Sequence, residues 1–337
     1  MPPASPGAAA GPEDTGPGAD VVISEDVWGE PLATLLRGRR VQREPTAWQD
    51  RERLRALLAG ARALVVRNRT SVDAELLAAA PRLAVVGRAG VGLDNIDVAA
   101  ADERGVVVVA PRGANAVSVA EHTVALALAL LRELPRHDAA VRAGTWDRRP
   151  GRELAGRDWG LLGAGATGQA VARLATALRM RVRGYDPYVD PAAVAAAGIE
   201  LAGLAEVLGS VDVLSVHLPL TPQTRNLLDA RALARLRPGT ILVSVGRGEV
   251  LDEAALAEAL RTGQVGGAGL DVRAAEPPPP GPLDGAPNVI FTPHVAGLTA
   301  ESQQRIMTVL GQDITAVLDG GAASHAVGAH RTGRARR

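Results

Sequence analysis

The sequence predicts an α/β fold of two doubly wound parallel-sheet domains, and three observations carry the prediction. Short β-rich apolar runs alternate with helical patterns in two successive series. A glycine-rich turn, GAGATG at 163–168, joins an apolar run to a helical pattern in the second series. The chemically able residues of that series, Asp186, His217, Arg247, Asp271 and His294, all fall just beyond the carboxyl ends of strands, the edge where doubly wound sheets bind ligands.

The first series opens with VVIS at 21–24, then a helix through 32–36, ALVV at 63–66, a helix over 73–80, LAVV at 83–86, a helix near 98–104 and VVVVA at 106–110. Runs this short and this rich in β-branched residues are strands buried on both faces, and the intervening helical spacing supplies the cover. A long helix over 119–134 leads to the second series, with Pro135 and Gly144 punctuating the passage. That series reads WGLLG from Trp159, a helix from Gln169, RVRGYD, a helix near 192–197, GIEL, VDVLSVH, a helix at 229–236, TILVSVG, a helix at 252–261, GAGLDV and VIFTPH. No fixed-period repeat is visible, and PPPP at 277–280 reads as a stiff loop. Residues 1–19, dense in Pro, Gly and Ala, are expected to form a disordered leader rather than a signal peptide, and 321–337 a disordered, solvated tail.

Composition narrows the chemistry. At 337 residues and 47% hydrophobic, two domains of ordinary size can each bury a core. Basic and acidic residues balance at 37 each, so neither a nucleic acid nor an anionic membrane is the expected partner. All the basic residues are Arg; without Lys there is no Schiff base, no Walker-type phosphate loop and no lysine-dependent dehydrogenase. The absence of Cys removes thiol nucleophiles, disulfides and cysteine-ligated zinc, and fits a cytoplasmic protein. The longest apolar stretch, 123–131, is far shorter than the ~20 residues that span a bilayer, so it reads as a buried helix. No metal-ligand spacing links the six histidines: His122 reads as a packing residue or a helix-to-helix hydrogen bond, His137 follows a helix end, and His325 and His330 lie in the expected tail.

The turn at 163–168 has the residues a dinucleotide site needs. Gly163 allows the tight turn, Gly165 lets backbone approach a pyrophosphate, and Gly168 opens a helix whose N-terminal amides point at it. Asp186 ends the next strand, eighteen residues after Gly168, where a carboxylate accepts from a ribose 2′-hydroxyl and repels a 2′-phosphate; NAD is therefore expected over NADP, although Arg181 and Arg183 lie nearby. Downstream stand Arg247 in GRGEVLD, Glu276 in DVRAAEP and His294 in FTPHVAG. A guanidinium to hold a carboxylate, an imidazole to protonate a carbonyl oxygen and a carboxylate to keep that imidazole charged, beside a nicotinamide, make up hydride transfer to a 2-oxo acid.

These residues, with VVRNRTSVDAELLAAAPRL, GRAGVGLDNIDVAAADERGV, VAEHTVALALALLREL, HLPLTPQTRNLLD and RGEVLDEAAL, make the chain resemble the D-isomer-specific 2-hydroxyacid dehydrogenase family from about Val21 to Leu318, phosphoglycerate dehydrogenases above all. The resemblance implies a flavodoxin-like substrate domain from 20–113 plus 300–320 and a Rossmann NAD-binding domain over 114–299. It implies Arg247, Glu276 and His294 as the catalytic set, and Arg67, Asn68 and the Gly90, Val91, Gly92 turn as substrate ligands. For the cofactor it implies Gly163, Gly165, Ala166, Thr167, Gly168, Asp186, His217, Leu218, Pro219, Val245, Gly246, Asp271 and Gly297, with His217 acting more through backbone than imidazole and Asp271 holding the carboxamide. The helix over 119–134 resembles the family's dimer-forming element, so a homodimer is expected.

PHVAGLT, where phosphoglycerate dehydrogenases read PHLGAST, and PRGANAVSVAEH look more like sulfolactate and related dehydrogenases; Ser244 and Thr167 also depart, and Val91 replaces the lysine of phosphite dehydrogenases. The expected reaction is NAD-dependent interconversion of a 2-oxo acid and a D-2-hydroxy acid. Arg67, Arg69 and Arg88 hint at an anionic substrate such as 3-phosphoglycerate/3-phosphohydroxypyruvate or sulfolactate/sulfopyruvate. Two alternatives stay open: an NAD-sensing, corepressor-like binding protein, and a specialised biosynthetic reductase of a phosphonate 2-oxo acid.

Overall fold

The computed structural model describes residues 18–27 and 29–330. The expected leader lies outside the described residues except at Gly18 and Ala19, and Ala19 is buried in a core. The chain divides into two compact units, one from the described residues up to Ala114 together with those from Gln303, the other Asn115–Ser302.

In the first unit the strands are β1 (Val21–Ile23), β2 (Val41–Arg43), β3 (Ala63–Val66), β4 (Val85–Arg88) and β5 (Val107–Val109), with helices α1 (Glu30–Leu35), α2 (Arg51–Leu58), α3 (Ala74–Ala78) and α4 (Val98–Glu103) between them. Parallel pairing gives the order β5-β4-β3-β1-β2, a flavodoxin-like winding. Because side chains alternate across a strand, each run feeds two cores: Val22, Leu64, Val66 and Val86 on one face, Val21, Ile23, Val65 and Val85 on the other. The carboxylates of Asp50, Asp73 and Asp97 accept first-turn amides of α2, α3 and α4, each worth ~1 kcal/mol.

The second unit opens with α5 (Ala116–Leu131) and α6 (Leu134–Arg142), then runs β6 (Asp158–Leu162), α7 (Ala166–Ala177), β7 (Arg181–Tyr185), α8 (Pro191–Ala195), β8 (Ile199–Leu201), α9 (Leu204–Ser210), β9 (Val213–Val216), α10 (Ala230–Leu233), β10 (Thr240–Ser244), α11 (Glu253–Arg261), β11 (Val265–Leu270) and β12 (Val289–Phe291). All pairs are parallel in the order β12-β11-β10-β9-β6-β7-β8, doubly wound from β6 outward, the Rossmann arrangement. Trp159, Leu161, Val213 and Val243 face a core with α5 and α7; Leu162, Leu214, Val216 and Leu242 face one with α9, α10 and α11. The chain then enters α12 (Ala300–Leu318), whose Ile306, Met307, Leu310, Ile314 and Leu318 return to a core of the first unit.

Several expectations are corrected. The chain from 321 to 330 is not a free tail: β13 (Ala326–Val327) pairs antiparallel with β5, and buried Asp313 on α12 accepts the amides of Ser324 and His325, both at 2.9 Å. The remainder of that expected tail, 331–337, lies outside the described residues. The helix expected over 119–134 runs Ala116–Leu131 and stops where Glu133 turns left-handed (φ 48°). Pro135 then sits in the first turn of α6, where its missing N–H costs nothing, so it starts a helix rather than ending one. Among the described residues no helix is long and apolar enough to cross a membrane, and no group of three His, Asp or Glu side chains is placed to hold a metal ion.

Candidate active site

The glycine turn is shaped from both sides. Gly163 is left-handed (φ 94°), and a Cβ there would sit 3.1 Å from the carbonyl carbon and oxygen of His217 at the end of β9. A Cβ on Gly168 would meet Gly163 O at 2.2 Å, so only hydrogen fits where α7 leaves the strand. A Cβ on Gly165 would meet nothing within 4 Å: the N-cap of α7 opens outward, and no side chain caps it. Bare first-turn amides at Ala166, Thr167 and Gly168 beneath an open glycine suit a pyrophosphate, with the helix dipole adding to the attraction.

Asp186, immediately past β7, accepts Ala164 N at 2.9 Å and Tyr188 N at 3.0 Å, which fixes its carboxylate beside the turn. Both arginines of β7 already meet a carboxylate. Arg181 grips Asp158 in bidentate fashion at 2.7 and 2.9 Å, and Arg183 reaches Glu200 at 3.3 Å. His217 is held by Ser215, whose Oγ lies 2.9 Å from Nε2 and itself accepts from the buried Trp159 indole at 2.8 Å. Burial pushes the His217 pKa down to about 3, so the ring is neutral, and its buried Nδ1 has no partner. Leu218 and Pro219 follow in the same turn. Gly246 is compulsory against them, since a Cβ would lie 2.7 Å from Leu218 O.

Arg247 stands between two glycines that cannot be replaced. Beyond Gly246 behind it, Gly248 ahead would drive a Cβ to 2.0 Å from the Arg273 carbonyl carbon. The backbone is thus threaded between the loops that follow β9 and β11, and the Arg247 guanidinium bonds Gly246 O at 2.9 Å. Val245, one residue earlier, donates its amide to Val216 O at 3.3 Å. Glu276 and His294 come together: His294 Nδ1 lies 2.7 Å from Glu276 Oε2, while Glu276 Oε1 accepts Arg273 N at 3.2 Å. With Nδ1 engaged by a carboxylate, the imidazole is oriented and Nε2 is left for chemistry. Both side chains are partly exposed.

Asp271 has a task that sequence reading did not give it. Its carboxylate, 1% exposed, accepts Val295 N (2.9 Å), Ala296 N (2.8 Å) and the Thr292 hydroxyl (2.5 Å), and its carbonyl accepts His294 N at 2.8 Å. These four bonds hold His294 at φ 56°, a conformation a non-glycine residue adopts only under tertiary constraint. His122 on α5 completes the chain, its Nε2 3.1 Å from Thr292 Oγ1, a hydrogen bond to a loop instead of the packing or helix-to-helix bond expected of it. At the end of this loop, a Cβ on Gly297 would lie 2.6 Å from Asn115 Nδ2.

In the first unit, Arg67 and Asn68 directly follow β3, with Arg67 half-buried and Asn68 exposed. Their backbone is held by Glu25 and Asn95, neither singled out from sequence. The Gly90, Val91, Gly92 turn follows β4, but the Gly90 amide is spent on Arg88 O at 2.8 Å, which leaves at most two of the three expected donors. Arg88, grouped in the sequence with Arg67 and Arg69 as a hint of substrate charge, is 9% exposed and bonds Ala89 O; a Cβ on Gly90 would strike its guanidinium. It braces the turn instead of facing a ligand.

Comparison with known proteins gives this geometry a family context. Residues 124–296 match the model of the D-isomer specific 2-hydroxyacid dehydrogenase NAD binding domain. A D-3-phosphoglycerate dehydrogenase of Mycobacterium bovis is 46% identical over 302 residues, 89% of this chain and 57% of that protein. An (S)-sulfolactate dehydrogenase of Chromohalobacter salexigens is 42% identical over 304 residues, 89% of this chain and 98% of its own. Among solved structures, a Thermus thermophilus protein has a TM-score of 0.83 at 35% identity, covering 91% of this chain and 99% of its own. The Aquifex aeolicus D-lactate dehydrogenase, solved with NAD and lactic acid, has a TM-score of 0.76 at 27% identity, covering 89% and 95%. The chain spans 57% of the length of the phosphoglycerate dehydrogenase it matches.

Proposed function

Because the chain belongs to the D-isomer specific 2-hydroxyacid dehydrogenase family, we propose that it catalyses the NAD-dependent interconversion of a 2-oxo acid and its D-2-hydroxy acid. The observation that carries this reading is the His294–Glu276 pair at 2.7 Å on the same strand-end edge as Arg247 and the glycine turn. NADH supplies the hydride when bound, and the open N-terminus of α7 with Asp186 beside it suits that cofactor. Arg247 holds the substrate carboxylate through its planar guanidinium and polarises the neighbouring carbonyl. His294, oriented by Glu276, gives its Nε2 proton to the carbonyl oxygen during reduction and recovers one from the hydroxyl during oxidation. In the first unit, Arg67, Asn68 and the amides of Val91 and Gly92 are proposed as substrate ligands.

The substrate class is a dianionic 2-oxo acid, 3-phosphohydroxypyruvate or sulfopyruvate. The names of the two curated relatives support this, as do Arg67 and Arg69 on one loop. We also propose a homodimer built on α5 and α6. Val117, Leu128, Leu134 and Val141 are exposed along these helices, and α6 buries no residue of its own within the chain. Light scattering on the purified protein reads the dimer directly.

The test of function is NADH consumption across 3-phosphohydroxypyruvate, sulfopyruvate, hydroxypyruvate, glyoxylate, pyruvate and phenylpyruvate, with His294→Ala beside the native chain. Turnover concentrated on the dianions and abolished in the variant is the expected result. NADH binding with no turnover on any of the six would overturn the catalytic reading in favour of NAD sensing.

A further inference from the structure

We propose that Glu25 is the positioning residue of the substrate loop that follows β3. Its buried carboxylate fills a nest of four consecutive amides, Arg67 to Thr70, and so sets the backbone from which Arg67, Asn68 and Arg69 meet a substrate anion. The substrate part of this inference rests on the proposed reaction; the nest itself does not.

Glu25 lies two residues past β1 and is 4% exposed. Its Oε1 accepts Arg67 N at 2.7 Å and Thr70 N at 3.0 Å; its Oε2 accepts Asn68 N at 3.2 Å and Arg69 N at 3.0 Å. Each oxygen therefore takes two donors, and every amide of the loop points inward at one carboxylate. The outer side is secured independently: Asn95 Nδ2 donates to Arg67 O at 3.1 Å and Thr70 O at 2.7 Å, and Ser24 Oγ lies 2.8 Å from Thr70 Oγ1. Burial works against the charge on Glu25, but the amides of Thr70, Arg67 and Arg69 outweigh it and hold the carboxyl below the usual range.

Consecutive amides converging on one point form an anion receptor. Here the receptor is filled from within, so the loop meets its ligand with side chains instead of backbone. Drawing the amides inward leaves Asn68 and Arg69 exposed and Arg67 half-buried, with the Arg69 guanidinium 4.8 Å from the Trp48 ring centroid. A glutamine at 25 would keep one acceptor oxygen and turn an N–H donor toward two amides. An aspartate would keep the charge but fall a methylene short.

The test pairs amide hydrogen exchange with steady-state kinetics on Glu25→Gln and Glu25→Asp in the full chain. In Glu25→Gln, amides 67–70 should exchange ~10-fold faster or more while those of β1 and β3 keep their rates. KM for sulfopyruvate should rise ~10-fold with kcat within ~3-fold and NADH affinity unchanged, a loss of binding without loss of chemistry. Glu25→Asp should fall between, and serves alone if the glutamine variant does not fold. Unaltered exchange at 67–70, or kcat and NADH affinity falling together with KM, would overturn the proposal. If the native chain turns over none of the 2-oxo acids, the proposed reaction fails by that result, and exchange at 67–70 still decides the nest.

Discussion

Two loops of this molecule are built by one device and differ in what they hold. Glu25 stands past the carboxyl end of β1 and pins the loop after β3, the strand beside it. Asp271 stands past β11 and pins the loop after β12, again the adjacent strand. In a parallel sheet neighbouring strands end at the same level, so an acid at one end reaches the amides leaving the next without crossing the sheet. Asp186 repeats the relation on a smaller scale, past β7 and bonded to the turn after β6. The difference lies in the payload. Glu25 spends its carboxylate on four amides in a row, whereas Asp271 spends its own on two amides and a hydroxyl that links onward to His122. One arrangement fixes a stretch of backbone that carries arginines; the other fixes a single left-handed histidine.

The comparison breaks first at the histidine. His294→Ala should lower kcat ~10²–10⁴-fold with NADH affinity unchanged, measured by single-turnover oxidation and fluorescence titration. Asp271→Ala comes next: it leaves the Val295 and Ala296 amides without an acceptor, for a loss of about 2–5 kcal/mol in denaturant unfolding. Its kcat should approach that of His294→Ala because the left-handed turn is released. Thr292→Val removes only the hydroxyl between His122 and Asp271, so about 1 kcal/mol and a several-fold drop in kcat are expected, with no change in the exchange of amides 67–70.

The remaining effect is one of pH. His217, whose folded pKa is about 3 against an ordinary 6.5, is neutral in the fold, so the unfolded chain takes up a proton that the native state refuses. Its contribution is intact above pH 6.5 and is lost as pH falls from there toward 3. Within that window the slope reaches at most ~1.4 kcal/mol per pH unit, and solvation of the partly exposed ring narrows the window. His217→Gln should flatten that limb of the stability profile; an identical acid limb in the variant would show that the ring does not titrate in this way.

What was legible in the sequence was whatever declares itself locally. The glycine turn, the strand-end placement of Asp186, Arg247 and His294, and the alternation of runs and helices each lie within a few residues of chain. The residues that were missed act across the sheet. Glu25 and the amides it accepts are 42 or more positions apart, and His122 is 170 from Thr292. Strand register brings Glu25 to its amides and the packing of α5 brings His122 to Thr292, and no local pattern encodes either. β2 was overlooked because VQR at a half-exposed sheet edge has no apolar run, and α2 because RERLRALL offers charge before it offers spacing. β13 was missed because Asp313, on a helix, is what turns its two residues back onto β5.

The return of α12 to the first unit has a consequence for how the molecule is made. On a ribosome, β1 to β5 emerge before the second unit, yet the core face that Val21, Ile23, Val65 and Val85 present is closed by Ile306, Leu310 and Ile314, synthesised some two hundred residues after β5. At ~5–20 residues per second that interval lasts from about ten seconds to most of a minute. The second unit, a continuous segment, can close in the meantime. The unit whose strands precede the second unit is therefore completed after it, and through that window its apolar sheet face lacks the cover of α12.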